Sequence, residues 1–312
     1  MRRAVAQAWI GEGHLTYRQG AVLIAGAGVV FSFTVLLFRG TENATDWQFL
    51  TLRSAGVALA MLLLTWLRRR GRPVDFSVVG PSTFIAGLLM AAMSMLYVLA
   101  LARTTAAMTV GFIAAGPFCG ALFGWLLLRE RVGRRTWVAM AVAAVGIGVI
   151  VSAGLGGGAA TGMLLAAMIP VLLGLYNVLI RSTPGVDPVI PALIGGVTAT
   201  LVAATAAVIE TGLSMSTRDA FLAGAAGFVL LGIGLPLFNL GHRYVPTAQV
   251  SLLIMTELVL APLWVWIWPG ETPEPTTLLG GAIVIGAVVW QITGAQEDGG
   301  HEVTSPPTAV SR

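Results

Sequence analysis

Glu257 and Arg53 are the residues of this chain best placed to do chemistry, because each stands inside a long apolar run. Glu257 falls at the centre of the run 247–268. A charged side chain at the centre of a membrane helix costs about 2.5–3.5 kcal/mol on insertion scales, so it must face a protein interior or a watery cavity. A carboxyl held there either takes up and releases a proton or lies protonated and hydrogen-bonded to a neighbouring helix. Arg53 sits about six residues into the run 47–67, roughly 9 Å below the nearer surface at 1.5 Å per residue. From that depth a guanidinium can snorkel to the interface, pair with Glu257, or hold a carboxylate in a bidentate fork.

Six uncharged residues complete the candidate set of substrate contacts: Ser94, Tyr97, Trp125, Asn177, Asn239 and Gln249. Polar groups inside lipid need partners and bridge helices at about 0.6 kcal/mol each, so structural glue is the competing role for every one of them. Asn177 and Tyr97 are the preferred pocket-liners, because both stand within otherwise apolar stretches. The three histidines, His14, His242 and His301, are scattered without metal-ligand spacing, and Cys119 is the single cysteine. No metal or other cofactor is therefore expected. The sequence contains no GxxxxGK[ST] phosphate loop, no G-x-S-x-G, no HExxH and no TVGYG-like filter. Direct ATP drive, the common hydrolytic chemistries and a potassium-type channel all lose support.

The elements that must position these residues follow from composition. The 312 residues are 56% hydrophobic and only 10% charged, with a mean hydropathy of +0.86. A soluble domain carries roughly a quarter charged residues, so lipid must solvate most of this chain. Windows of about 20 apolar residues, the length of one crossing, fall at 20–38, 47–67, 79–101, 104–128, 135–152, 159–180, 189–209, 220–241, 247–268 and 276–293. Loop chemistry separates them, as in Arg39-Gly40-Thr41-Glu42-Asn43, Thr183-Pro184-Gly185 and Pro269-Gly270-Glu271. The expected fold is all-α and integral to the membrane, with ten transmembrane helices as two inverted five-helix repeats. Residues 1–19 form an N-terminal tail, 20–152 the first repeat, 159–293 the second, and 294–312 a polar, Pro-containing tail. Arg2 and Arg3 precede the first apolar run, which is long enough to span and reads as an uncleaved helix.

All 18 basic residues are arginines. Placing the N-terminus in the cytoplasm puts fourteen of them inside, among them Arg68, Arg69, Arg70, Arg72, Arg134 and Arg135. Only Arg39, Arg103 and Arg218 then fall outside. By the positive-inside rule both termini are expected in the cytoplasm, with the protein multi-pass in the inner (plasma) membrane. Arginines that cluster in short runs between apolar stretches also argue against a nucleic-acid partner.

The two halves repeat. Ala102–Ile150 lies on Arg243–Gln291 at an offset of 141, with Thr104-Thr105-Ala106-Ala107 meeting Val245-Pro246-Thr247-Ala248 and Glu130 meeting Glu271. Five spans per half place the second copy upside down, the arrangement by which secondary transporters expose a midplane site to either side in turn. A duplication retained for folding alone is the competing account.

The stretch from Tyr97 to Val151, YVLALARTTAAMTVGFIAAGPFCGALFGWLLLRERVGRRTWVAMAVAAVGIGVIV, carries a family resemblance. An alanine-rich loop, a small-residue helix with a central Pro, Trp-Leu-Leu-Leu-x-Glu, a basic turn and a Gly-rich helix follow one another. Val245–Trp290 repeats that order. This text, with Arg53 and the segment Leu175-Tyr176-Asn177 to Arg181, resembles the ten-helix EamA-like branch of the drug/metabolite transporter superfamily. The chain departs from it in the ninth span, where the family often shows Glu-Pro and this sequence has Glu257-Leu258. The resemblance implies a secondary transporter of small metabolites, amino acids or related amphipathic compounds, with export foremost and proton coupling an option. A membrane-embedded enzyme acting on a lipid-type substrate is the alternative, but it would need acidic or histidine residues clustered at one membrane face. A non-transporting scaffold would need a signalling domain. The expected partners are thus a small-molecule substrate, the lipid bilayer and a proton.

Overall fold

The computed structural model describes residues 17–68, 79–129, 134–154, 160–182, 189–241, 256–268 and 274–299. Regular structure in these segments is helical throughout. Helices α1 (Tyr17–Arg39), α2 (Asp46–Arg68) and α3 (Pro81–Arg103) open the chain, followed by α4 (Ala106–Ile113), α5 (Gly116–Leu128) and α6 (Arg134–Gly154). Then come α7 (Ala160–Ser182), α8 (Val189–Glu210) and a column made of α9 (Thr217–Ala225), a π-helical segment (Ala226–Leu231) and α10 (Gly232–Gly241). The described helices end with α11 (Thr256–Ile267) and α12 (Pro275–Gly299).

Among the described residues, six helical stretches are long and apolar enough to cross a membrane: 19–39, 46–67, 81–103, 108–127, 189–210 and 217–238. Three shorter apolar helices, 137–149, 160–176 and 278–287, accompany them. Val22, Leu59, Leu201 and Phe221 are each more than half exposed on the outside. Such a surface is stable against acyl chains and not against water. The protein is therefore a multi-pass membrane protein.

Two spans depart from a plain helix. The run 104–128 divides into α4 and α5, because Pro117 has no N–H to continue the helical ladder and is tolerated only in a first turn, where it stands in α5. A tight turn bridges the break, with the Ala115 N–H bonded to the Phe112 carbonyl at 3.0 Å. The run 220–241 contains the π-helical segment, which lies where α2 and the column meet backbone to backbone. A Cβ on Gly56 would come within 2.7 Å of the Phe228 nitrogen, and one on Gly227 would collide with the Arg53 carbonyl. Only glycine at both positions permits this approach. The first part of the run 247–268, residues 247–255, lies outside the described residues.

Packing follows a pattern of exchange. Helix α2 packs on α8 and α6 on α12; α3 lies against α7 and α8, while the α9–α10 column lies against α1 and α2. Likewise α5 packs on α7, as α11 does on α1. Swapping each helix for its counterpart about five spans along leaves these pairings unchanged.

Polar contacts tie one end of the bundle together. Asp219, fully buried, accepts 3.0 Å hydrogen bonds from the backbone N–H groups of Glu42, Asn43 and Ala44. Gln48 Nε2 donates to the carbonyls of Gly212 and Ser214 at 2.9 and 3.0 Å. Gly212, at φ +83°, gives that loop the turn it needs. Arg103 pairs with Asp46 at 2.9 Å, Arg39 Nη2 donates to the Thr104 carbonyl at 2.7 Å, and Arg218 pairs with Glu42. The ends of α1, α2 and α3 are thus held at a common level beside the start of α9.

Candidate functional site

A cavity of about 230 Å³ lies between the helices, and its wall draws on α1, α2, α3, α4, α7, α8, α10, α11 and the π-helical segment. Most of that wall is apolar: Phe31 of α1, Met90 and Met93 of α3, and Leu231 and Leu235 of the column. Ile113, the last residue of α4, also reaches it, so the break at Ala114–Ala115 adjoins the cavity. Its polar lining is concentrated in a few side chains.

Arg53 is only 5% exposed and lies about 10 Å along α2 from Asp46. Its Nη1 donates to Ser94 Oγ at 2.6 Å, and its guanidinium carbon lies 5.6 Å from the centre of the Tyr97 ring. This cation–π contact and the serine together fix the plane of the guanidinium. Its Nε is buried with no hydrogen-bond partner among the described residues. Snorkelling to the interface, one of the options at this depth, is not what the side chain does: it lines the cavity instead.

Glu257, the second residue of α11, lines the same cavity and is within electrostatic reach of both Arg53 and Tyr97. Among the described residues it forms no direct ion pair with Arg53. Behind it, α11 is fixed on α1 by Trp264, whose Nε1 donates to Ser32 Oγ at 3.0 Å and whose ring stacks on Phe33 at 5.1 Å.

Four of the eight candidates, Arg53, Ser94, Tyr97 and Glu257, therefore meet at one cavity. Trp125 does not join them: it is 45% exposed on the outer surface of α5, edge-on to Trp137 at 5.7 Å. Asn177 lies in α7 and Asn239 in α10, whereas Gln249 lies outside the described residues, as do Glu130 and Glu271. Sequence reasoning missed Thr34 and Ser54. Both line the cavity, are 3% and 1% exposed, and carry hydroxyl oxygens without a hydrogen-bond partner among the described residues. Among the described residues, no group of three His, Cys, Asp or Glu side chains is placed to hold a metal ion.

A membrane-embedded helical bundle around a small, mostly apolar cavity with one fixed cation and one carboxyl is the form of a carrier for small molecules. The chain belongs to the EamA-like transporter family, whose model matches residues 18–152 and again 160–293. That is a family of transporters, not of enzymes. A curated relative, a probable terminal-alkyne amino-acid exporter of Streptantibioticus cattleyicolor, is 29% identical over 198 residues, covering 57% of this chain and 61% of the relative. The chain thus matches about three fifths of that relative's length. A protein solved by crystallography shares the fold with a TM-score of 0.64 at 20% identity, over 88% of this chain and 98% of its own. At that identity the likeness concerns the fold alone.

Proposed function

We propose that the protein is a secondary transporter that exports small amphipathic metabolites bearing a carboxylate, amino acids foremost. The observation that carries this reading is the posture of Arg53. One corner of its guanidinium is taken by Ser94, while its Nε has no hydrogen-bond partner among the described residues. Two parallel N–H groups on a rigid plane match the two oxygens of a carboxylate. At about 230 Å³ the cavity falls just below the roughly 300–1,000 Å³ of pockets for drug-sized ligands, and so suits a small metabolite. Met90, Met93, Leu231 and Leu235 supply an adaptable apolar wall for its side chain. The amino-acid exporter among the relatives agrees with this chemistry.

In this reading Arg53 and Tyr97 contact substrate and Ser94 positions Arg53, with Asn177, Asn239 and Gln249 as further contacts in the second half. Glu257 carries the coupling proton, because a carboxyl in a cavity shared with a cation can exchange charge states as substrate comes and goes. The chain crosses the inner membrane ten times as two inverted five-helix repeats, 20–152 and 159–293, with both tails cytoplasmic. The exchange pattern of helix contacts and the two family matches support that arrangement. Alternating access then amounts to the halves trading roles around a fixed site. With both tails cytoplasmic, the end tied by Asp219 lies on the extracytoplasmic side.

The test is transport by purified protein in liposomes, against a panel of amino acids and other carboxylates, with and without a pH gradient. Flux of at least one amino acid that disappears in Arg53→Gln is the expected result. Flux that ignores Arg53, or is confined to compounds without a carboxylate, contradicts it.

A further inference from the structure

Hydroxyls buried in membrane helices ordinarily satisfy themselves on their own backbone. This protein follows the rule at many positions: Thr51, Thr65, Thr109, Thr200 and Thr205 each donate to the carbonyl four residues back, at 2.7–3.1 Å. Ser32 donates to the carbonyl three residues back, at 2.6 Å. Thr34 and Ser54 break it. Their oxygens are fully buried and unpartnered among the described residues, as is the hydroxyl of Tyr97, and all three residues line the cavity. An unmatched buried hydroxyl is costly, so three at one cavity need an explanation.

They also share a depth with Arg53. Thr34 lies five residues before Arg39, Ser54 eight after Asp46 and Tyr97 six before Arg103, with Arg53 itself seven after Asp46. The Arg103–Asp46 pair and the Arg39–Thr104 bond hold those three helix ends level. The four residues thus lie within about one helical turn of each other in depth.

We propose that Thr34, Ser54 and Tyr97 form an acceptor triad for a primary ammonium on the carbon next to the substrate carboxylate, which makes them specificity-determining residues. This rests on the carboxylate reading of Arg53 given above. A primary ammonium has three N–H donors and no acceptor, and each hydroxyl oxygen offers a lone pair. Three donors meet three acceptors, while Glu257 shares the cavity as the balancing negative charge. The site so built selects α-amino acids over simple carboxylic acids of the same length.

The experiment measures binding of three probes to the purified full-length protein by calorimetry: L-methionine, its des-amino analogue and its N,N,N-trimethyl derivative. In the unaltered protein, L-methionine binds roughly tenfold or more tighter than either of the others, because the trimethyl compound keeps the charge and lacks the donors. Equal binding of all three overturns the triad and does not depend on any variant folding. Thr34→Val and Ser54→Ala each weaken L-methionine roughly tenfold or more and leave the des-amino analogue unchanged, while Thr34→Ser retains the preference. Parallel loss of both ligands assigns the hydroxyls to the carboxylate, and no change in either makes them structural; each result overturns the proposal. The underlying reading fails separately, by an Arg53→Gln protein that binds L-methionine like the unaltered one, or by no binding of any probe.

Discussion

Replacing Arg53 by lysine separates a carboxylate fork from a mere buried cation. The structure sets what is lost. Arg53 gives Nη1 to Ser94 and leaves Nε without a partner among the described residues, so in the carboxylate reading its fork makes two charge-assisted hydrogen bonds to substrate. A lysine ammonium preserves the charge but presents a point, not a fork, and Ser94 competes for one of its donors. At least one charge-assisted bond to the substrate disappears, a loss of about 1.5–3 kcal/mol and roughly 10- to 150-fold in affinity. The substituted side chain keeps its positive charge beside Glu257, so the fold loses little by the exchange. The assay is titration of Arg53→Lys and unaltered protein with L-methionine, with thermal unfolding of both recorded in the same detergent. Weakened binding at an unchanged melting temperature is the expected outcome. Equal affinity in the two proteins refutes the fork, and parallel loss of binding and stability assigns Arg53 to structure.

Further outcomes follow from other contacts. Glu257→Gln removes the titrating group, so a pH gradient no longer drives accumulation in liposomes while substrate exchange continues; gradient-driven accumulation that persists rules out Glu257 as the proton carrier. Asp219→Ala deprives three backbone N–H groups of their acceptor and lowers stability by about 2–4 kcal/mol, read by thermal unfolding. A melting temperature equal to that of the unaltered protein shows that water replaces the carboxylate without loss. Gly227→Ala forces α2 and the π-helical segment apart, since the new methyl meets the Arg53 carbonyl and not a yielding side chain. The expected cost is about 1–3 kcal/mol or more, together with weaker substrate binding because Arg53 itself shifts.

The parts of the site readable from the residues were those whose chemistry is abnormal for lipid. Arg53 and Glu257 stand out in any apolar run, and both line the cavity. Thr34 and Ser54 could not be picked out, because the same residue types at Thr51 or Thr65 spend their hydroxyls on their own helix. Which hydroxyl turns inward depends on the packing of neighbouring helices. Trp125 illustrates the converse: an aromatic within an apolar helix reads the same whether it faces a ligand or acyl chains, and here it faces outward. The run 104–128 reads as one span although Pro117 divides it, and the π-helical segment lies where Gly56 and Gly227, two residues 171 positions apart, bring two backbones together. Asp219 stands in the first turn of α9, where any acidic residue is favoured, and its role on the 42–44 backbone depends on tertiary packing.

Efflux of L-methionine from liposomes tests the central claim most directly, comparing unaltered protein, Arg53→Gln and protein-free vesicles. The expected result is efflux catalysed by the unaltered protein and reduced to the protein-free rate in Arg53→Gln. Efflux of equal rate through both proteins contradicts the claim that the cavity at Arg53 is where the substrate carboxylate is held.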